Sequence, residues 1–416
     1  MRNTVVQVDE RLPILQTIPL SLQHLFAMFG ATVLVPFLFH VNPATALLFN
    51  GIGTLLYVWI CKRRIPAYLG SSFAFIAPVL LVSSQFGYGS ALGGFMVNGV
   101  IFMLIAAVVY RCGTGWINVV LPPAAMGAIV AIIGLELAPV AAGMAGLTAK
   151  TMDKNAILVS MFTLAVTLLG AVAFRGFLKV IPVLIGVIAG YLLALWLGLV
   201  DFASVARAAW FSVPTFYSPR FNLSAIAIIA PASLVVISEH IGHLVVTANI
   251  VERDLIKDPG LHRSLFADGL SNFLSGLFGS PPNTTYGENI GVMAITRVYS
   301  TWVIAGAAII AVVFSFCGKL AALIQTIPVP VMGGVCILLF GVIAASGIRM
   351  LVETKVDYSK SKNLIMTAVP LVVGLSGAKI SLGAIALQGM SLAAVIAVIL
   401  SLAIAVLDKS GLGNEA

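Results

Sequence analysis

The chain has 416 residues, of which 60% are hydrophobic and only 9% are charged. Soluble domains carry about 25% charged residues because their surfaces face water, so this composition excludes a water-soluble globule. The net charge of +8 would suit a nucleic acid, but the Lys and Arg residues lie between and at the ends of apolar stretches, as topology signals do. We therefore expect an integral membrane protein that contacts lipid and has no nucleic-acid partner.

The hydropathy pattern predicts an all-α polytopic membrane protein with fourteen transmembrane segments, numbered here in chain order. A helix that crosses the bilayer needs about 20 apolar residues. Segments 1 to 7 are 17–39, 44–61, 70–84, 91–110, 117–138, 156–174 and 181–200. Segments 8 to 14 are 224–251, 264–279, 283–296, 301–322, 329–346, 362–377 and 387–407. The polar N-terminus lacks the features of a cleavable signal peptide, so segment 1 is expected to stay as a span.

The positive charges predict the orientation of these segments. With both termini in the cytoplasm, only six of the 23 Lys and Arg residues fall in outer loops. Those six are Lys150, Lys154, Arg207, Arg220, Lys319 and Lys379. Cytoplasmic loops are normally the ones enriched in Lys and Arg, so the excess of nearly three to one supports this layout.

Two similar runs indicate an internal repeat. Pro122-Pro-Ala-Ala-Met-Gly and Pro328-Val-Pro-Val-Met-Gly open segments 5 and 12, and their Met-Gly pairs lie 206 residues apart. We predict a first repeat over 1–200, a connecting loop over 201–223 and a second repeat over 224–416. Each repeat would contain seven segments. Because seven is odd, the second copy enters from the opposite side, and inverted repeats are typical of transporters.

Segments 3 and 10 are too short and too rich in Gly, Ser and Thr to cross as simple helices. Each is third in its half, and Pro281-Pro282 cannot continue a helix at the start of segment 10. Irregular backbone at membrane depth survives where it lines a cavity or is buried in protein. We therefore predict short extended strands that cross near the midplane, each leading into a half-helix, with a ligand between them.

Glu239 lies midway through segment 8, where an ionisable side chain is costly and usually functional. His243 is four residues on, so the two side chains share a helix face and are expected to touch. This pair is a candidate proton-coupling element; the alternative is a structural pair that fixes neighbouring helices. His240 points off that face and is expected to be a packing or backbone-bonding residue. Asp268 lies near the start of segment 9.

Glu288 is the second acid within an apolar segment, and it follows the predicted helix interruption in Asn283-Thr-Thr-Tyr-Gly-Glu. A helix is expected to start after Gly287, which would bring free backbone N–H groups to the site. With Phe73 and Tyr286 nearby, the pocket would hold carboxylates, amides and aromatics but no cluster of basic residues. A flat, neutral ring with N–H donors and carbonyl acceptors, such as a nucleobase, fits this pocket better than an anion.

The run Glu288-Asn-Ile-Gly-Val-Met-Ala-Ile-Thr-Arg resembles the signature of the nucleobase–ascorbate transporter family, and Gln23-His24 resembles the Gln-His pair of that family's first segment. The resemblance extends over essentially the whole chain. It implies a core domain from segments 1–4 and 8–11 and a gate domain from segments 5–7 and 12–14. Members of the family also commonly dimerise through the gate domain.

The resemblance further implies import of uracil with a proton across the bacterial cytoplasmic (inner) membrane, with no cofactor or metal. A xanthine or urate carrier is the alternative within this class, and a channel, an inorganic-anion carrier and an enzyme fit the sequence less well. The residues implied to contact the base or the proton are Glu239, Glu288, Phe73, Gly287, Tyr286 and His243. Secondary candidates are Gln23, His24, Asn289 and Phe340, the last standing where we expect a tyrosine in related uracil carriers.

Overall fold

The computed structural model of the chain describes residues 5–149, 151–382 and 385–412, so Lys150 lies outside the described residues. The helices of the first half are α1 (Ile14–Ala27), α2 (Phe29–Phe39), α3 (Pro43–Ile60), α4 (Ile76–Phe86), α5 (Tyr88–Cys112), α6 (Ile117–Val120), α7 (Pro123–Glu136), α8 (Ala138–Met144), α9 (Lys154–Ala173) and α10 (Pro182–Trp196). A 3-10 turn over Phe73–Phe75 precedes α4, and a second one, Gly176–Val180, precedes α10.

The second half continues the helical pattern. Its helices are α11 (Ala203–Arg207), α12 (Leu223–Ile229), α13 (Ala232–Val251), α14 (Leu261–Phe278), α15 (Gly287–Thr296), α16 (Thr301–Ser315), α17 (Gly318–Gln325), α18 (Val329–Glu353), α19 (Ser361–Leu375) and α20 (Gly389–Lys409). A π-helical turn, Ile256–Gly260, precedes α14. The strands are β1 (Leu69–Ser71), β2 (Asn283–Thr285), β3 (Lys379–Leu382) and β4 (Ile385–Gln388).

Helix length and composition identify a multi-pass membrane protein. Within the described ranges, seven helices are long and apolar enough to cross a bilayer when α7 with α8 and α12 with α13 are each counted as one. The number is eight when α1 and α2, bent by 43° at Met28, also count as one span. Four further apolar helices of 10–17 residues are shorter: Phe73–Phe86, Pro182–Trp196, Thr301–Ser315 and Ser361–Leu375. The predicted helical membrane class is thus confirmed.

Several helices break inside stretches that are continuously apolar. Segment 5 was expected to run through 117–138, but the helix stops at Val120 and restarts at Pro123, a residue that suits a first helical turn. Segment 8 divides at Pro231, and segment 11 divides at Cys317. Hydropathy reports the surroundings of the side chains and not the backbone hydrogen bonds, so it does not reveal such breaks.

The helices pack in two groups. In one, α14 lies along α5 and α3, and α16 lies along α3 and α1; in the other, α18 packs on α7 and α9, and α19 packs on α7 and α20. The repeat-matched helices α7 and α18 approach closely, because a Cβ on Gly347 would meet the carbonyl oxygen of Gly127 at 2.6 Å. Small residues therefore permit backbone contact inside the second group.

Two strand pairs interrupt the helices. β1 and β2 pair antiparallel with Leu69 opposite Thr285 and Ser71 opposite Asn283. The ladder is extended by the Ser72 amide, which donates to the Pro282 carbonyl at 2.8 Å. The hairpin of β3 and β4, which joins α19 to α20, was not foreseen from the sequence. β1 and β2 come from segments 3 and 10, so the two interrupted segments meet.

Candidate functional site

Each of the paired strands leads into the start of a helix. β1 leads into the 3-10 turn that begins at Phe73, and β2 leads into α15, which begins at Gly287. Because the strands are antiparallel, these starts lie beyond opposite ends of the three-residue ladder. Free N–H groups at helix starts carry partial positive charge and suit electronegative ligand atoms.

Tyr286 braces the strand crossing. Its side chain is 3% exposed, and its hydroxyl donates to the Ser71 carbonyl at 2.9 Å. The ring lies so close to Gly70 that a Cβ there would overlap it. Tyr286 was predicted to be a pocket wall, and the structure places it against the strands that form the floor of the site.

Four of the predicted site residues lie on α13 and α15, two helices that contact each other. Glu239 and His243 on α13, and Gly287 and Glu288 on α15, are each only partly buried. A Cβ on Gly287 would lie 3.2 Å from His243 Nε2, so the start of α15 lies against that imidazole. Glu288 is in the first turn of α15, where a carboxylate is favoured by the helix dipole.

The predicted contact between Glu239 and His243 is wrong. Among the described residues, the structure contains no hydrogen bond or ion pair between them, and His243 Nδ1 instead lies 3.1 Å from Thr285 Oγ1. The two side chains do share a helix face, but β2 packs against α13 and supplies a nearer polar partner for the imidazole. His243 is therefore tied to the strand pair.

Glu239 belongs to a group of polar atoms that have no partner within the described part of the chain. Its Oε2 is buried without a hydrogen bond, and the charges of Glu288 and Asp268 lie close enough to act on it. Other buried atoms without partners there include Ser72 Oγ, Thr284 Oγ1 and Asn289 Oδ1. Buried polar atoms are nearly always hydrogen-bonded in proteins, so these atoms have hydrogen-bonding capacity that a polar ligand could use.

Phe73 and Phe340 form an aromatic contact beside the strands. Their ring centroids are 6.2 Å apart with an interplanar angle of 82°, an edge-to-face arrangement. Phe73 is 8% exposed and Phe340 is 2% exposed. Phe340 lies on α18, so this contact joins the half-helix of segment 3 to a helix of the other packing group.

His24 and Asn289 link segments 1 and 10. The Asn289 side-chain amide donates to His24 Nδ1 at 3.1 Å and to the His24 carbonyl at 3.3 Å, next to the bend between α1 and α2. Gln23 is also buried, at 6% exposure. The secondary candidates on segment 1 are thus close to α15, and His24 reaches it through Asn289.

The sequence did not reveal that a second carboxylate and imidazole, those of Asp268 and His240, lie together beside α13. His240 Nδ1 lies 2.9 Å from Asp268 Oδ2, and both side chains are completely buried. The sequence predicts a packing or backbone-bonding role for His240. The spacing in α14 places Ser264, Asp268 and Asn272 on one helix face, but it does not indicate that His240 of α13 lies against that face.

The described residues contain no group of three or more His, Cys, Asp or Glu side chains placed to hold a metal ion. The polar groups at the strand crossing are carboxylates, amides, hydroxyls and imidazoles. This composition suits hydrogen bonding to a neutral polar ligand.

Two interrupted segments that meet at a polar site inside a helical membrane protein define a transporter-type architecture. The sequence profile of the permease family matches residues 15–383, and the chain belongs to this family. The family resemblance inferred from the signature run is thereby confirmed, and the class is a transporter and not an enzyme.

Named relatives match nearly the whole chain. The uracil permease of Escherichia coli K12 is 65% identical over 97% of this chain and 94% of its own length. The uracil permease of Bacillus subtilis is 50% identical over 92% of this chain and 91% of its own length. A uracil permease of Paenibacillus larvae is 62% identical over the full length of both chains.

Solved structures with the same fold are more distant in sequence. The transmembrane domain of the cyanobacterial bicarbonate transporter BicA matches with a TM-score of 0.65 and 13% identity, over 95% of this chain and 100% of that one. The inward-facing murine anion transporter Slc26a9 gives a TM-score of 0.68 and 13% identity, over 96% of this chain and 69% of that one. At this identity the similarity concerns the fold alone.

Proposed function

We propose that the protein is a secondary active transporter that imports uracil with a proton by alternating access. The observation that carries this proposal is the site itself, in which Glu239 and Glu288 flank paired strands in a chain 65% identical to a uracil permease. The relatives supply the substrate, and the polar atoms without partners supply a place for it.

The proposed architecture has fourteen segments in two inverted repeats, 1–200 and 224–416, joined by 201–223. The first packing group, with α12, α13 and α15, would form the core domain, and the second group the gate domain. The same fold in transporters such as BicA supports this division. The protein would span the bacterial cytoplasmic membrane with both termini inside, and a homodimer would form through the gate domain.

Uracil recognition follows from the donors and acceptors at the crossing. The base has two N–H donors and two carbonyl acceptors, and carboxylates are strong acceptors for N–H groups. Glu239 and Glu288 would accept from the ring N–H groups, and the backbone N–H groups at Phe73 and Gly287 would donate to the carbonyls. The aromatic pair of Phe73 and Phe340 would cover one face of the base.

Coupling follows from the cost of moving charge through a low-dielectric interior. Moving a negatively charged site past the apolar gate is unfavourable, whereas a site neutralised by one proton can move. Protonation of Glu239, with His243 as its neighbour on the same helix face, would therefore accompany base binding from the outer side. Proton and base would leave together on the cytoplasmic side.

Uptake of labelled uracil by proteoliposomes with an imposed inward proton gradient tests this proposal. We expect uracil to accumulate above its external concentration, and an ionophore that collapses the gradient to abolish the accumulation. Uptake that ignores the ionophore would contradict proton coupling. Competition by unlabelled xanthine or urate but not by unlabelled uracil would instead identify the protein as a xanthine or urate carrier.

A further inference from the structure

We propose that His240, Asp268, Ser264 and Tyr57 form a buried path that releases the coupled proton from the Glu239 region to the cytoplasm. This inference rests on the proposed proton symport and assigns positioning residues to its release step. The four side chains come from α13, α14 and α3, and none of them belongs to the substrate contacts proposed above.

The four side chains form a series of close polar contacts. Asp268 Oδ2 lies 2.9 Å from His240 Nδ1, and the opposite ring nitrogen, Nε2, lies 2.6 Å from Ser264 Oγ. The Ser264 hydroxyl in turn lies 2.6 Å from the Tyr57 hydroxyl. The two contacts of Ser264 are hydrogen bonds, whereas His240 Nδ1 and Asp268 Oδ2 are at ion-pair distance without an aligned hydrogen bond among the described residues. A reorientation of the Asp268 carboxyl group would align this contact and let a proton pass along the whole series.

The path is sealed along its length. His240, Asp268 and Ser264 are 0% exposed, and Tyr57 is 1% exposed. It ends near the surface, because Tyr57 lies just over one helical turn before the exposed Lys62. This end of α3 is cytoplasmic in the proposed orientation.

The path begins beside the site carboxylate. Glu239 directly precedes His240 on α13, and Asp268 lies close enough for its charge to act on Glu239. Neighbouring carboxylates in a buried region share protons and do not titrate independently. Several titratable or charged groups surround Asp268, His240 and the neighbouring Glu239. They are Glu239 and His243 on α13, Tyr57 and Cys61 at the end of α3, Arg263 on α14 and Glu288 on α15.

Asp268 is also connected to β2 by hydrogen bonds through Asn272. The Asn272 side-chain nitrogen donates to Asp268 Oδ1 at 3.3 Å, and Asn272 Oδ1 accepts from the Asn283 amide of β2 at 2.7 Å. A movement of β2 when the base leaves would therefore reach Asp268 through two hydrogen bonds. This connection gives the release path a way to respond to substrate.

The proton balance is simple. Glu239 loses one proton to Asp268, which protonates His240 Nδ1 while His240 gives the proton on Nε2 to Ser264 Oγ. Ser264 gives its original hydroxyl proton to the Tyr57 oxygen, and Tyr57 gives its phenol proton to water that enters when the carrier opens to the cytoplasm. A flip of the His240 ring and rotation of the two hydroxyl groups then restore the starting arrangement, and one proton has moved.

Two substitutions interrupt this path with little change in shape, Tyr57→Phe and Ser264→Ala. We expect either one to slow proton-driven net uptake of uracil by about tenfold or more, a typical contribution of a positioned proton-transfer group. Counterflow exchange of labelled for unlabelled uracil should stay within about twofold of wild type, because exchange returns the carrier with its proton still bound. Raising the internal pH should partly restore net uptake.

The matched controls are Tyr191→Phe and Ser238→Ala. Tyr191 contacts Thr326 in the other packing group, and Ser238 donates to the Leu234 carbonyl within its own helix. Both controls should keep net uptake and counterflow. Uracil binding by each purified variant separates loss of folding from loss of release.

Equal losses of net uptake and counterflow in Tyr57→Phe and Ser264→Ala would overturn the path and assign these residues to structure. Unchanged net uptake in both variants would overturn it as well. A wild-type protein that moves uracil without responding to the proton gradient would instead refute the proposed symport, so the two failures are distinguishable.

Discussion

Helix α13 carries two ionisable faces that differ in access. Glu239 and His243 are partly accessible and lie beside the strand crossing, whereas His240 and its neighbour Asp268 are completely sealed. On the accessible face, Glu239 Oε2 has no partner in the described chain, and on the sealed face every step from Asp268 to Tyr57 is within 2.9 Å. In our proposal, the accessible face binds the base and the sealed face passes protons.

The two faces of α13 are assigned different roles, substrate binding and proton transfer, which the sequence pattern alone does not distinguish. Two acids and two histidines at membrane depth look alike in a sequence, and spacing alone pairs Glu239 with His243. The structure brings His240 to ion-pair distance of Asp268 and gives Glu239 no hydrogen bond or ion pair within the described ranges. A free carboxylate beside helix starts suits substrate, and a paired one suits transfer.

The largest expected effect comes from the accessible face. Glu288→Gln removes the charge from a hydrogen bond to the base, which is worth about 1.5–3 kcal/mol, so uracil binding should weaken about 10- to 100-fold. Glu239→Gln should also abolish proton-driven accumulation. Isothermal titration and uptake assays measure both effects. Glu353→Gln, at an exposed residue paired with Arg349, is the control and should bind uracil normally.

Chemical access should distinguish the two faces directly. In a variant without the native cysteines, His243→Cys should react with a small thiol reagent about tenfold faster or more than His240→Cys, because exposure controls reactivity at comparable thiols. Uracil should protect the first position only. Equal labelling at both positions would show that the second face is not sealed.

Gly70→Ala tests whether the floor of the site depends on Tyr286. The added Cβ would overlap the Tyr286 ring, so a shift of the ring or the strand should cost about 1–3 kcal/mol and reduce uptake. Melting temperature in detergent and uracil uptake report the two effects. Gly291→Ala is the control, because a Cβ there meets nothing within 4 Å; equal losses in both variants would remove the special role of the crossing.

The smallest expected effect is at the aromatic contact. Phe340→Leu removes an edge-to-face pair with Phe73 worth about 0.5–1.5 kcal/mol, so the apparent affinity for uracil should change by no more than about tenfold. Concentration-dependent uptake gives this value. Phe211→Leu, at an exposed ring that stacks on Phe316, should leave it unchanged. A complete loss of binding in Phe340→Leu would place that residue among the main substrate contacts.

Composition and hydropathy were enough to predict a helical membrane protein, because lipid exposure leaves a strong mark on residue choice. Pro281-Pro282 and the short segment lengths predict the interrupted helix before Glu288, since proline cannot continue a helix. The His243–Thr285 contact and the Asp268–His240 pair could not be predicted, because they depend on how β2 and α14 pack against α13. Local spacing carries no information about such long-range neighbours.

The central claim is that uracil and a proton enter together through the Glu239 site. Internal pH of proteoliposomes, followed by a trapped dye while uracil is added outside, tests it most directly. We predict internal acidification on addition of uracil to the wild-type protein and none with Glu239→Gln. Entry of labelled uracil into wild-type proteoliposomes with no change in internal pH would contradict the account.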